Sequence, residues 1–379
     1  MTIHYYYLDD GERDESIAYA EEVVSATEGL EIEVDHPSEF SKQIKFQDVK
    51  FAGLILDLRL DQMVHVVNEK KRKAGYRAPA LAQEVRTRAA EKRTGEFPIV
   101  LWSFDRRLDA YRRDRTGHDL FDLTVIKEDL TNKSIVQEVG MKLLSLVNGY
   151  EAIRQIRDDE KRRRGWFYRL LGFGTAGEAS SLDPRILEQF DYPALKRPVH
   201  EYAGFIIHHL LDVTGPLIDQ SVLAARLGLD IEKSSDAQAL FEGAFLQAKY
   251  TGPFDDGWSR WWAFRVEEIW NNLGSPAGSL RSLRAEERIN HLKDVTGLRG
   301  LRAAAPLHPE YSTRYWTVCW KLKKPLDPHD GLLVNDDRSH PWQDERFVSF
   351  EAFEQRLVKR QDIDPIDRAR LERMKADRS

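Results

Sequence analysis

The most constraining feature of this chain is the run FAGLILD at residues 51–57. It is apolar at nearly every position and is closed by a carboxylate. A strand with one wet face would alternate, so a run like this reads as a central parallel strand covered on both faces. Two further apolar runs also end in a polar residue: PIVLWS (98–103) at Ser103 and LTVIK (123–127) at Lys127. A third, IHYYYL (3–8), stops at Asp9-Asp10, and LEIEV (30–34) alternates as a more exposed strand.

The stretches between them have helical spacing. Residues 14–27 carry Ile17, Ala20, Val23 and Val24 on one side, with Gly29 as the stop. A short helix is expected at 37–46, another near 79–92, and a long one at 132–157. This order predicts an α/β domain over residues 1–150, a doubly wound five-stranded parallel sheet. The crossover at 61–97 is long for one helix. It reads as an elongated loop or extra helix before the usual crossover helix. Its basic run Glu69-Lys70-Lys71-Arg72-Lys73 reads as solvated surface ahead of a binding patch.

In such a sheet ligands bind outside the carboxyl ends of the strands. Asp9 and Asp10 follow the first strand, Asp57 ends the third, Ser103 the fourth and Lys127 the fifth. Three carboxylates, a hydroxyl and an ammonium are therefore expected in one crevice. Crowded carboxylates repel, and a hard divalent cation such as Mg²⁺ relieves that cost through oxygen ligands from Asp9, Asp10 and Asp57. A carboxylate is also a known phosphoryl acceptor, which makes Asp57 the candidate nucleophile. Lys127 and Ser103 would hold the phosphoryl oxygens. The alternative is structural: strand-end carboxylates can cap helices, with the lysine balancing their charge.

YLDDGERDE, LILDLRLD, PIVLWS and LTVIK together resemble the receiver domain of bacterial response regulators, over roughly residues 1–150. The resemblance implies a flavodoxin-like fold and phosphorylation of Asp57 by a histidine kinase or other phosphodonor protein. It also implies the backbone carbonyl of Arg59 as a further Mg²⁺ ligand. The chain departs from the family pattern at Glu128, where receivers carry proline, at Thr124, where they carry an aromatic, and in the enlarged crossover.

Beyond the first domain, a helical extension and a Gly/Ser/Ala-rich linker fill 151–189, and a mainly helical α+β domain is expected over 190–379. Helices are expected at 201–218, 219–230, 236–250, 257–273 and 351–360, and strands at 314–322 and 346–350. The charged tail should fray. DQSVLAARLGLD (219–230) has a helix-turn-helix-like core, with Leu223, Ala224 and Leu227 inward and Gly228 at the turn. The segment after it is poor in basic residues, so a plain helical hairpin is the simpler reading. Trp258, Trp261, Trp262, Phe264 and Trp270 read mostly as core, or as a stacking surface for a base or partner, with Arg260 and Arg265 beside them. His329, Asp330, Asp336, Asp337 and His340 share one loop without tight metal-ligand spacing.

The formal charge of −6 gives no global attraction to nucleic acid. Cys319 is the only cysteine, so no internal disulfide forms. With no leader-like start and no apolar run near ~20 residues, a cytoplasmic protein without a membrane span is expected. Three readings follow. One is a signalling protein whose receiver controls an output domain. Another is a receiver-like scaffold used for docking, or for homodimerisation through the receiver or the 132–157 helix. The third is a DNA-binding regulator acting through residues 200–250.

Overall fold

The computed structural model describes residues 2–46, 50–62, 65–67, 70–72, 74–108, 120–158, 166–189, 197–274, 279–335 and 340–378. The chain divides into two compact units. The first comprises Met1–Ser180, Pro184–His208 and Thr251–Trp258; the second comprises Ser181–Asp183, His209–Tyr250 and Ser259–Ser379.

The first unit holds five parallel strands: β1 (Ile3–Leu8), β2 (Leu30–Asp35), β3 (Gly53–Asp57), β6 (Ile99–Ser103) and β7 (Leu123–Ile126). Their order is β2-β1-β3-β6-β7, the 2-1-3-4-5 order of flavodoxin-like, receiver-like sheets. Side chains alternate across it. Tyr6, Leu8, Leu54, Leu56, Ile99 and Leu101 pack on one face with Leu81, Ala82 and Val85 of helix α3 (Ala78–Ala90). On the other face Tyr5 donates from its hydroxyl to the carbonyl of Leu143, 2.8 Å away, in helix α4 (Lys133–Asp158). Helix α1 (Arg13–Ser25) buries Ser16, Ala20 and Val23, and a single turn, α2, spans Phe40–Gln43. At the start of β3 only glycine fits, because a Cβ on Gly53 would lie 2.2 Å from the Tyr5 ring.

The crossover differs from the expected loop or extra helix. It contains an antiparallel hairpin, β4 (His65–Val67) with β5 (Lys70–Arg72), His65 opposite Arg72. The basic run lies partly in β5; Glu69 and Lys73 are outside the described residues. Two three-residue segments are too short for their periodicity to show, and a lysine-rich strand lacks the apolar signal that marks the central ones. Helices α5 (Trp166–Leu170), α6 (Pro184–Glu188) and α7 (Val199–Ile206) complete this unit.

The second unit is mainly helical, with three two-stranded antiparallel pairs: β8 (Leu217–Ile218) with β9 (Trp261–Trp262), β10 (Thr317–Val318) with β11 (Pro325–Leu326), and β12 (Gly331–Leu333) with β13 (Phe347–Ser349). Its helices are α8 (Gln220–Leu227), α9 (Ala237–Glu242), α10 (Ala263–Asn272), α11 (Ala285–Thr296), α12 (Phe350–Glu354) and α13 (Pro365–Arg378). Leu223, Leu227, Phe241, Trp270 and Ile289 meet in its largest apolar cluster.

Several expected elements are shorter here. The single helix expected at 201–218 ends at Ile206, passes into a π-helical turn (Ile207–Leu211), and yields to β8 beyond Gly215-Pro216. Proline has no N–H for a helix, and the carbonyl of Pro216 instead accepts from the Ala263 N–H. The aromatic-rich helix begins at Ala263 rather than 257, because Trp261 and Trp262 pair with β8. Trp258, Trp261, Trp262 and Trp270 are all buried, as core. The strand expected at 314–322 is only β10, and the helix expected at 351–360 closes at Glu354.

α8 follows the sequence reading closely. The Asp219 carboxylate accepts from the Val222 N–H, and Gly228 ends the helix at φ +73°. The exposed residues of α9, which are Gln238, Ala239 and Glu242, include no base. Among the described residues no helix is long and apolar enough to cross a membrane.

Candidate phosphoryl and metal site

Register sets the site. Leu8 lies beside Leu56, Asp57 beside Trp102, and Ser103 beside Ile126. The strands therefore end level, and Asp9, Asp57, Ser103 and Lys127 emerge at one rim. All four are buried, as is Asp10. Asp9, Asp10 and Asp57 each place one carboxylate oxygen within 4.8 Å of the other two, the one such acidic cluster among the described residues.

Lys127 binds two of these acids. Its Nζ lies 2.7 Å from Asp9 Oδ2 and 2.8 Å from Asp57 Oδ1. Lys127 opens a short 3₁₀ helix (Lys127–Thr131) that buries Leu130, which anchors the backbone behind the amine. Glu128 accepts from the Asp105 N–H at 3.1 Å and ties this turn to the loop after β6.

Each carboxylate has a built environment. Asp9 Oδ2 accepts from the Tyr7 hydroxyl at 2.5 Å and the Ser16 hydroxyl at 2.8 Å, and Oδ1 from the Gly11 N–H at 2.9 Å. Asp10 accepts from the Gln62 N–H. Asp57 Oδ2 accepts from the Arg59 N–H at 2.9 Å. The Arg59 side chain turns away to Asp61, 2.7 Å from Nε. Ser103 Oγ is buried and has no hydrogen-bond partner among the described residues.

Burial works to raise the pKa of both Asp9 and Asp57, and the balance differs between the two. For Asp9, the Lys127 charge and the surrounding donors outweigh burial and hold it below the usual carboxylate range. For Asp57, burial and the nearby Asp9 charge outweigh Lys127 and push it up. Burial pulls Lys127 down, but the two carboxylates more than offset this and raise it. The amine is therefore charged at neutral pH.

One participant has no signature in the sequence. Arg107 Nη1 lies 3.1 Å from Asp57 Oδ2, and Nη2 lies 3.0 Å from Gln62 Oε1. Its side chain is 25% exposed, so it sits at the mouth of the hollow. Four residues beyond the end of β6, in SFDRRLDA, it is one of two adjacent arginines, and only the turn after Ser103 decides which points inward. Tyr7 and Ser16 likewise carry no signature in the sequence. Tyr7 reads as strand core, and Ser16 as an ordinary helix residue.

The His- and Asp-bearing loop at 325–342, read from sequence as lacking metal-ligand spacing, contributes no cluster among the described residues. Asp330 accepts from the Ser312 N–H, and His340 meets His209 at 3.1 Å; Asp336 and Asp337 lie outside the described residues.

The donors suit a hard divalent cation. They are carboxylate oxygens, close together and without nitrogen or sulfur ligands, which is the chemistry Mg²⁺ prefers. No family model and no curated protein matches the chain. Among solved structures, a Salmonella typhimurium RcsB response regulator, described for its conformational dynamism in DNA interaction, matches at 10% identity and a TM-score of 0.22. It covers 54% of this chain and 98% of that one. A likeness so low carries no functional argument. The strand order itself makes the first unit receiver-like.

Proposed function

We propose that the first unit is a Mg²⁺-dependent phosphoryl acceptor, with Asp57 as nucleophile, in a signalling protein. The observation that carries this is the Lys127 amine bridging Asp9 and Asp57 within a buried three-carboxylate hollow. Asp9, Asp10 and Asp57, with the Arg59 carbonyl, would hold the ion. When bound, it supplies positive charge that offsets the crowded acids and draws charge from phosphoryl oxygens.

The chain's own residues do the rest. An Asp57 oxygen attacks phosphorus in line; the bond from phosphorus to the donor's leaving atom breaks, and its electron pair departs with the donor. No proton leaves Asp57, because it reacts as a carboxylate. Lys127 is placed to follow the charge from carboxylate to phosphoryl oxygen. The unpartnered Ser103 hydroxyl is available to donate to another. Arg107, at the mouth, must move off Oδ2 for the phosphoryl group to enter and can then pair with it. The donor in this reading is a histidine kinase or a small acyl phosphate, and the new charge shifts a two-state element toward an output in the second unit.

A second reading is favoured by one observation: both oxygens of Asp57 are already satisfied, Oδ1 by Lys127 and Oδ2 by Arg59 and Arg107. In it the unit is a docking or dimerisation scaffold that never turns over phosphate. A single experiment separates them. Acetyl phosphate with Mg²⁺ should add one phosphoryl mass to the wild-type chain, and none to Asp57→Asn or after chelation of Mg²⁺. An unchanged mass in a folded wild-type chain rules out the acceptor reading and favours the scaffold. The DNA-binding reading gains nothing from the acid-and-neutral exposed face of α9.

A further inference from the structure

The second unit contains a cavity of about 480 Å³, within the ~300–1,000 Å³ range of small-molecule sites. It is separate from the acidic hollow. Its floor is apolar: Ala224, Leu229, Ala304, Leu307 and Val318 line it, and Ile231 stays 36% exposed at its edge. Its rim is charged. Lys233 pairs with Asp230 at 2.9 Å and Lys324 with Glu232 at 3.4 Å, so these four neutralise one another. Lys323 lines this cavity and also a neighbouring one beside Asp344 and Glu345; among the described residues its amine forms no ion pair.

Lys323 is unusual in its backbone as well. It lies in the turn between β10 and β11, its N–H donating to the Cys319 carbonyl at 2.8 Å, and holds φ at +53°. A left-handed conformation is strained for a non-glycine residue, and glycine at the same position avoids that strain. The fold thus bears strain at a lysine that lines an apolar cavity, the pattern found at ligand clamps.

We infer that this cavity is a binding site for an amphipathic monoanion, a carboxylate with an aliphatic body: the body lies on the apolar floor and the carboxylate pairs with Lys323. The net charge of the rim, one positive, matches a monoanion and not a polyphosphate.

The test uses the full chain and octanoate as probe, with 1-octanol as the neutral control. Titration calorimetry should show saturable octanoate binding, at least threefold tighter than octanol. Lys323→Gly should weaken octanoate by at least threefold while leaving octanol unchanged, and should raise the melting temperature because the turn relaxes. Ala305→Trp, at an exposed position on the cavity wall, should abolish both ligands without unfolding the chain. Absence of saturable binding, equal affinity for octanoate and octanol, or undiminished octanoate binding by Lys323→Gly would each overturn the assignment.

Discussion

At the scale of single residues, the strand-end acids and the lysine were legible because each follows an uninterrupted apolar run, and strand geometry leaves little choice about where such a run stops. Arg107 was not, since a loop and not a periodicity directs it. Its pairing with Asp57 makes it a competitor for any cation at the same carboxylate. Arg107→Ala should therefore raise Mg²⁺ affinity by roughly two- to fivefold, as expected from a partly exposed pair worth about 0.5–1 kcal/mol. Calorimetric titration with Mg²⁺ checks this, and unchanged or weaker binding contradicts it. A second residue gives a pH signature. Burial, helped by the Arg86 charge, pushes His200 down to about 4, and its buried Nδ1 has no partner among the described residues. The unfolded chain takes up this proton near pH ~6.5 and the folded chain only near 4. Stability should thus fall as pH drops across that window, by up to about 3 kcal/mol, and level off below it. Urea midpoints between pH 7 and 4 should drop for wild type and drop less for His200→Gln.

At the scale of elements, the five central strands and their helices followed from apolar runs and helical spacing, whereas two-residue strands in the second unit leave no pattern to read. The boundary of α8 shows what does and does not appear in sequence. Its Asp219 cap and Gly228 stop are visible, but the third device, Arg288, comes from α11. Arg288 is fully buried, and its Nη1 donates to the carbonyls of Arg226 at 2.7 Å and Tyr315 at 2.9 Å. It places a positive charge at the carbonyl end of α8, which favours the helix dipole. Burial, unrelieved by any carboxylate in direct contact among the described residues, pushes its pKa down to about 10, so it remains charged at neutral pH. Arg288→Met keeps the bulk but strands those carbonyls, and should cost about 1–3 kcal/mol in urea unfolding.

At the scale of the whole molecule, the first unit is not one stretch of sequence. Thr251–Trp258 belongs to it although the residues on either side belong to the second. Phe254 is buried, its ring filling the space a Cβ on Gly149 of α4 would need; the Gly257 N–H donates to Ser145 at 3.0 Å; and Lys142 lies over the Trp258 ring. Composition and linker signals cannot reveal such a return, because a short loop between two helices looks the same wherever it packs. Phe254→Ala in the full chain should cost about 3–5 kcal/mol. Hydrogen exchange should localise the loss to α4 and leave α8 protected; loosening of α8 alone would contradict the assignment. The same return sets an order of events at the ribosome. Domains often close as soon as their own residues emerge, but here one flank of the long helix stays bare until the codons for Thr251–Trp258, far downstream of its own, have been read.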